Sequence, residues 1–180
     1  QILKGLNLKL EDGETLSIMG KSGSGKSTLL NLLAGLMKPT SGEVNILGSS
    51  FSKLSDKKRT KLRGRNLGVI FQQFHLLPHL TALENISFAG EINDIEDVLT
   101  KAKKLLERVG LSHRADHFPH ELSGGEMQRV AVARALITSP KIILADEPSG
   151  SLDEKNANEI IDLIFELVEE KKTSLVFVTH

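Results

Sequence analysis

The stretch GKSGSGKST, residues 20–28, fits the pattern G-x-x-x-x-G-K-[ST], with Gly20, Gly25, Lys26 and Ser27 at the defining positions. A strand-like run precedes it and a leucine-rich helical run follows it, which is the context that a phosphate-binding loop requires. Backbone N–H groups at the glycines and at the helix start form a concave positive site for phosphate oxygens. The stretch therefore predicts a strand–loop–helix unit that binds a nucleoside triphosphate.

Two side chains of this loop have specific expected roles. Lys26 is expected to reach the β- and γ-phosphates, and Ser27 to ligate Mg²⁺. The alternative is an ordinary glycine-rich turn, since roughly one random chain in 150–200 of this length would match the pattern at average composition. The residues predicted to bind the nucleotide here are Gly20, Lys21, Ser22, Gly23, Ser24, Gly25, Lys26, Ser27 and Thr28.

Strand-like and helical runs alternate along much of the chain. Apolar strand-like runs recur at 43–47, 67–71, 141–146 and 174–179, with helical periodicity between several of them. Runs that are apolar throughout, separated by helices, predict an α/β fold with a mostly parallel sheet, here a P-loop NTPase core. Residues 2–20 read as two strands joined by a turn at Asp12–Gly13, which predicts an N-terminal antiparallel β element.

The region from 72 to 140 has helical periodicity without a convincing strand. We therefore predict a single domain over 1–180, with an α/β core at 1–71 and 141–180 and a helical subdomain inserted at about 72–140. The chain begins without a methionine, already inside an extended pattern, and stops directly after a strand-like run. We expect the domain to be truncated at both ends.

Composition narrows the class of function. Lys plus Arg and Asp plus Glu number 23 each, so no overall positive field attracts nucleic acid, and no nucleic-acid partner is expected. The chain has no cysteine, which excludes a disulfide framework and a thiolate metal site within it. No apolar run approaches the roughly 20 residues that span a bilayer.

The strand-like run KIILADEP ends in Asp146 and Glu147. Acids that end an apolar strand lie at the carboxyl edge of the sheet, where open α/β folds bind ligands. Asp146 then suits Mg²⁺ coordination, and Glu147 suits the general base that aligns an attacking water. An acidic pair at a solvated strand end is the alternative, and the phosphate-binding loop in the same chain makes it less favoured.

The stretch LSGGEMQ, residues 122–128, combines a helix cap with two glycines. Ser123 and Glu126 have the spacing of a capping box, as Thr81 and Glu84 do earlier in the chain. A cap alone does not explain the glycines, because Gly in a first helical turn costs about 0.5–1 kcal/mol relative to Ala. A hydroxyl, bare amides and a positive helix end predict a second anion site.

LSGGEMQ resembles the signature motif of the ABC-type ATPases, and a match to LSGGE arises by chance in on the order of one chain in a few thousand. Gln72 then matches the Q-loop of that family, SLD at 151–153 the D-loop, and His180 the switch histidine. These motifs follow the family's order over essentially the whole chain. The resemblance implies two ATP-binding domains packed head to tail as a homodimer or paired domain. Ser123, Gly124 and Gly125 of one would then contact the γ-phosphate held by the other.

The resemblance also implies catalytic roles that the residues alone do not. Glu147 would polarise the attacking water, and His180 would contact the γ-phosphate. Gln72 would sense Mg²⁺ and a transmembrane partner, and Asp153 would link the two sites. Taken without the resemblance, Gln72 reads as a surface amide and His180 as a terminal histidine. The implied cofactors are ATP and Mg²⁺, with the metal held by Ser27, Gln72 and Asp146.

The resulting interpretation is the ATP-hydrolysing subunit of an ABC transporter, cytoplasmic and held on the inner face of the membrane by a permease subunit. The stretches FQQFHLLPHLTALENI and PSGSLD resemble the branch of lipoprotein-release, macrolide-export and peptide-export ATPases. A soluble ABC-type ATPase acting in translation or DNA repair is the alternative. A P-loop switch or kinase fits less well, because the guanine-reading N-K-x-D is absent and LSGGE has no role in either class.

The chain departs from the family at the adenine-binding position. The family stacks the adenine ring on an aromatic residue before the phosphate-binding loop, yet this chain has no Tyr or Trp and no Phe before Phe51. We expect the stacking residue to lie upstream of Gln1.

Overall fold

The computed structural model describes residues 3–179, and all structural statements refer to them. Its strands are β1 (Thr15–Met19), β2 (Asn45–Ile46), β3 (Ser49–Ser50), β4 (Leu67–Ile70), β5 (Ile142–Asp146) and β6 (Ser174–Thr179). Its α-helices are α1 (Lys26–Leu33), α2 (Asp56–Asn66), α3 (Ala82–Glu91), α4 (Val98–Arg108), α5 (Gly124–Leu136) and α6 (Glu154–Lys171). Short 3₁₀ turns cover Phe51–Lys53, Ser112–Arg114 and Pro119–Glu121.

The main sheet has the strand order β1-β6-β5-β4, and every pair in it is parallel. Successive residues of β5 and β6 point to opposite faces of this sheet. Ile143 and Leu175 belong to the core formed with α3, α4, α5 and α6. Leu144 and Val176 belong to a second core on the face of α1. Because both faces are covered, the central strands are apolar throughout, and the predicted parallel α/β sheet is confirmed.

The N-terminal hairpin is not formed as predicted. The turn at Asp12–Gly13 is present, but residues 3–10 form no strand, and β1 pairs in parallel with β6 instead. The turn is fixed to the start of β6, since the Gly13 amide donates to Ser174 Oγ at 2.9 Å. The antiparallel element is instead the small sheet of β2 and β3. A turn signal predicts a chain reversal, whereas the partner of each flanking run depends on distant strands.

Between β4 and β5, residues 71–141 contain α3, α4 and α5 and no strand. Helix α4 begins at Val98, although apolar residues at helical spacing already start at Ile95. The reason is backbone conformation: Asp94 and Asp97 take left-handed angles, with φ of 56° and 52°, which a helix cannot include. The predicted capping box of Thr81 and Glu84 is confirmed at the start of α3.

Asn85 of α3 fixes the loop that precedes that helix. Its amide nitrogen donates to the carbonyls of Leu77, Leu80 and Thr81 at 2.9–3.1 Å, and its Oδ1 accepts from the Leu77 amide at 2.7 Å. The side chain is 1% exposed, so water cannot readily replace these partners. One asparagine side chain therefore supplies the partners of the Leu77 amide and the Leu80 carbonyl in this irregular loop.

We expect Asn85→Ala to lower the free energy of unfolding by about 1–3 kcal/mol, because the Leu77 amide and the Leu80 carbonyl lose their side-chain partner. Urea denaturation measures this as a lower midpoint with an unchanged slope. Asn93→Ala is the control, since the Asn93 amide donates only to the Ala89 carbonyl, and it should cost less than about 1 kcal/mol. Equal losses in the two variants would contradict this account of Asn85.

Candidate nucleotide-binding and hydrolysis site

The phosphate-binding loop connects β1 to α1 at the carboxyl edge of the sheet. Gly25 is the N-cap of α1 and has φ 96°, a conformation that side-chain-bearing residues rarely adopt. Residues 21–24 are exposed, with Ser24 N–H bonded to the Lys21 carbonyl at 3.2 Å. The loop therefore presents the first amides of α1 to solvent at the positive end of the helix, where an anion binds favourably.

Lys26 is buried against its own loop, with 7% of its side chain exposed. Its Nζ donates to the Gly20 carbonyl at 2.7 Å and the Lys21 carbonyl at 3.3 Å, and lies 3.5 Å from Glu147 Oε1. An ammonium withdrawn from water needs such partners. The structure thus brings together the lysine of the phosphate-binding loop and the acid predicted to be the base.

Asp146 and Glu147 lie at the end of β5, next to the phosphate-binding loop. The Oδ1 atom of Asp146 is buried and has no hydrogen-bond partner among the described residues. Glu147 has φ 45°, held by a hydrogen bond from its amide to the Val178 carbonyl at 3.0 Å. A carboxylate oxygen without a partner and a hydroxyl at Ser27 are oxygen donors of the kind that Mg²⁺ prefers, so these residues fit that ion.

The segment 71–75 follows β4 without regular structure and carries Gln72. The Gln72 carbonyl accepts from Ser151 Oγ at 3.2 Å. Its side chain also lies close to Gly150, where a Cβ atom would be 2.8 Å from Gln72 Nε2. Gln72 is therefore placed beside residues 150–151, a few positions after Glu147.

Ser123 caps α5 in the predicted way. The Glu126 amide donates to Ser123 Oγ at 3.2 Å, and the Ser123 amide donates to Glu126 Oε2 at 2.8 Å. This bond from the Ser123 amide is the main reason that the pKa of Glu126 is lowered; burial opposes the shift, and Arg114 at 2.8 Å adds to it. The charged form of Glu126 therefore supports the cap.

The two glycines have a packing role within the chain. A Cβ on Gly125 would lie 2.9 Å from Asn156 Oδ1, and one on Gly124 would lie 3.3 Å from a methyl group of Leu152. The start of α5 thus packs against the start of α6. This close packing gives one reason for the two glycines, which the helix cap alone does not explain. In the described residues no hydrogen bond joins 122–126 to 20–28 of the same chain.

Asp153 is the N-cap of α6. Its carboxylate accepts from the Asn156 amide at 3.1 Å and from Asn156 Nδ2 at 2.6 Å, and the side-chain bond is the main cause of the lowered pKa of Asp153. It thereby holds Asn156 against Gly125. The predicted switch residue His180 lies outside the described residues.

Sequence reasoning did not single out Gln128 and Arg134 of α5. Gln128 Nε2 donates to the Phe71 carbonyl at 3.3 Å, and Arg134 donates to the carbonyls of Phe74 and His75 at 2.9 and 2.5 Å. Burial lowers the pKa of Arg134. The sequence feature that could have identified them is a polar residue within or next to an apolar run: Arg134 lies inside the run 130–137, and Gln128 lies just before it. Buried polar groups in such a run require partners elsewhere.

Comparisons with known proteins show which proteins this chain is similar to. The family model described as ABC transporter matches residues 3–150. The chain is 51% identical to the lipoprotein-releasing system ATP-binding protein LolD of Hydrogenovibrio crunogenus, over 99% of this chain and 79% of the relative. It is 50% identical to LolD of Saccharophagus degradans, over 100% of this chain and 80% of the relative.

Solved structures of ATP-binding cassettes are also similar to this chain. A dimeric, post-hydrolysis structure of the ATP-binding cassette MJ0796 bound to ADP and Pi superposes with a TM-score of 0.90. The sequences are 45% identical, and the match covers 99% of this chain and 80% of that one. A second dimeric structure of the same cassette superposes with a TM-score of 0.91.

We expect Glu126→Ala to destabilise the protein by about 1 kcal/mol at neutral pH, because it removes half of the capping box. The carboxylate's contribution is complete above the ordinary glutamate pKa of 4.5 and is lost as the pH falls through the lowered folded value. The difference between wild type and variant, measured by urea unfolding from pH 7 to pH 3, should therefore shrink toward acid.

Glu126→Gln is the matched control, since the amide oxygen can still accept the Ser123 bond but cannot titrate. Its difference from Glu126→Ala should not change with pH. A wild-type advantage over Glu126→Ala that is constant across this range would contradict a role for the ionised carboxylate.

Proposed function

This chain belongs to the ABC transporter family, and from that membership we propose that its ATP hydrolysis drives the release of lipoproteins from a membrane. It is an ATP-binding subunit of a transporter and an ATPase. The observation that carries the site assignment is the 3.5 Å approach of Lys26 Nζ to Glu147 Oε1 at the end of the phosphate-binding loop. A soluble ABC-type ATPase is not favoured, because the relatives named above are lipoprotein-release proteins that match almost the whole chain.

The phosphate-binding loop, residues 20–28, holds the triphosphate in this proposal. Exposed amides at the start of α1 bind the phosphate oxygens. Lys26 exchanges its contacts with the Gly20 and Lys21 carbonyls for the β- and γ-phosphates. The charge of Lys26 is already desolvated, so little rearrangement of water accompanies this exchange.

Ser27, Asp146 and Gln72 are the residues proposed to hold Mg²⁺. The buried, unpartnered Oδ1 of Asp146 supports this assignment, since a carboxylate oxygen left alone in the interior is costly. When bound, the ion neutralises charge on the β- and γ-phosphates. Gln72 approaches from the segment after β4, beside Gly150.

Glu147 orients the attacking water and accepts its proton. Its position at the end of β5, 3.5 Å from Lys26 Nζ, supports this role, because Lys26 is the residue proposed to bind the γ-phosphate. The hydrogen bond from its amide to the Val178 carbonyl fixes its backbone in the left-handed conformation, so the side chain is aimed by the sheet. His180 is proposed to contact the γ-phosphate, as the family resemblance implies.

A second copy completes the site. Gly124 and Gly125 lie against Phe74, Leu152 and Asn156 of their own chain, whereas Ser123, which precedes them, is exposed and can approach a phosphate held elsewhere. In a head-to-tail pair this helix start covers the γ-phosphate on the partner's loop, and Asp153 lies close to the junction. ATP then stabilises the closed pair through contacts that the open state lacks, and hydrolysis removes them.

We also propose how this subunit is held at the membrane and how its chain is divided into subdomains. No helix within residues 3–179 has the length and apolarity to cross a bilayer. We assign membrane passage to a separate permease component, which holds this subunit on the cytoplasmic face. The region 72–140 is assigned as a helical subdomain inserted into the α/β core of 1–71 and 141–180.

We expect Glu147→Gln to reduce ATP turnover by about 10²–10⁴-fold, because the amide cannot accept the proton of the attacking water. ATP-dependent dimerisation, followed by size exclusion in Mg²⁺ and ATP, should persist. Glu169→Gln is the control, as that exposed residue of α6 is not part of the site. Unchanged hydrolysis in Glu147→Gln would contradict the assignment of the base.

Mixing two inactive variants tests the composite site. Lys26→Ala damages the loop of its own chain, and Ser123→Arg damages the helix start offered to the partner. In a mixed pair one site combines both defects and the other has neither, so turnover should rise above that of either variant alone. Each variant by itself, at the same total concentration, is the control. Activity that never exceeds the sum of the two controls would contradict sites shared between copies.

A further inference from the structure

The segment 71–75 is held by side chains of other elements rather than by backbone pairing. Its carbonyls accept from Gln128 of α5 at Phe71, and from Ser151 at Gln72. Arg134 of α5 binds the carbonyls of Phe74 and His75. Because the segment has no regular structure, these bonds fix its path.

The two side chains of α5 hold the segment at both ends. Gln128 and Arg134 are six positions apart, which corresponds to about 9 Å along a helix. Gln128 binds the first residue of the segment and Arg134 the last two, so the segment runs along α5 in the same direction. Gln72 lies between the two attachment points.

Arg134 is the stronger of the two attachments. Its guanidinium donates through Nη1 to His75 O at 2.5 Å and through Nη2 to Phe74 O at 2.9 Å. A charged donor with a rigid fork binds two carbonyls more strongly than neutral donors do, and it fixes their relative position. Gln128, which is fully buried, adds a neutral bond at 3.3 Å.

We propose that Arg134, with Gln128, is a positioning residue that fixes Gln72 relative to α5, the helix whose first residues are Gly124 and Gly125. The segment and the helix then move as one unit. A displacement of α5 when its start meets a phosphate is transmitted to Gln72 through the Arg134 bonds. This inference rests on the proposed role of Gln72 in the site.

Arg129 provides a matched comparison on the same helix. It is partly buried like Arg134, but its guanidinium donates to the Val109 carbonyl at 3.4 Å and to Glu159 at 2.8 Å. These partners lie at the end of α4 and on α6, away from the segment 71–75. Arg129→Gln therefore removes a charged hydrogen-bonding side chain from α5 without releasing Gln72.

The first experiment measures motion directly and does not depend on activity. The chain has no cysteine, so Gln73→Cys gives a single exposed site for a thiol-specific spin label within the segment. The mobility of the label should rise in Arg134→Gln and stay unchanged in Arg129→Gln. Unchanged mobility in Arg134→Gln would overturn the proposal, whatever the ATPase result.

The second experiment is a double-mutant cycle on ATP turnover in the intact protein. Arg134→Gln should lower kcat by about 10- to 100-fold, the effect of a small misplacement near reacting groups, with a change in KM below about threefold. In a Gln72→Ala background the same substitution should cost less than about twofold, because its target is gone. Arg129→Gln should cost the same factor in both backgrounds.

Arg134→Lys separates positioning from folding. The lysine keeps the charge and can reach one carbonyl, so its kcat should lie between those of wild type and Arg134→Gln. If Arg134→Gln does not fold, the cycle is run with Arg134→Lys. An equal loss of kcat with and without Gln72 would overturn the proposal. Loss of turnover in Glu147→Gln reports on the hydrolytic site independently of either result.

Discussion

The parallel pairing of β1, β6, β5 and β4 is the constraint on which the site depends. Strands that run in one direction end at one edge, so the loops that follow β1, β4 and β5 meet there. One loop carries residues 20–28, the second carries Gln72, and the third carries Asp146 and Glu147. The sheet holds these groups firmly because both of its faces are covered by apolar cores.

Burial of one positive charge organises the centre of this edge. The Lys26 ammonium is withdrawn from water and takes its partners from the Gly20 and Lys21 carbonyls and from Glu147. Such a charge is stable only where acceptors surround it. Triphosphate oxygens are suitable replacements for these acceptors, so the loop is preorganised for an anion while the lysine remains paired without one.

The starts of α5 and α6 show how one residue can satisfy folding and function together. Ser123 caps α5, and the missing side chain at Gly125 lets Asn156, held by Asp153, pack against the helix. These contacts account for the local structure by themselves. Ser123 at the same helix start is exposed, which is what the proposed contact with a second copy requires.

Local patterns predicted the parts of this protein that depend on neighbours in sequence. The phosphate-binding loop, both capping boxes, and the parallel sheet read from apolar runs were visible before the structure, since each follows from backbone geometry within a few residues. The predicted hairpin at Asp12–Gly13 was wrong, because pairing of β1 with β6 joins residues more than 150 positions apart. Gln128 and Arg134 were missed for the same reason.

The sequence by itself thus determined the fold class, the strand–loop–helix unit around residues 20–28 and the position of two acids at the end of β5. Tertiary structure decided which strand β1 pairs with, which acceptors the Lys26 ammonium donates to, and which side chains hold the segment around Gln72. Periodicity and motif spacing encode short-range backbone geometry, whereas the partners of buried polar groups are fixed only when distant elements pack together.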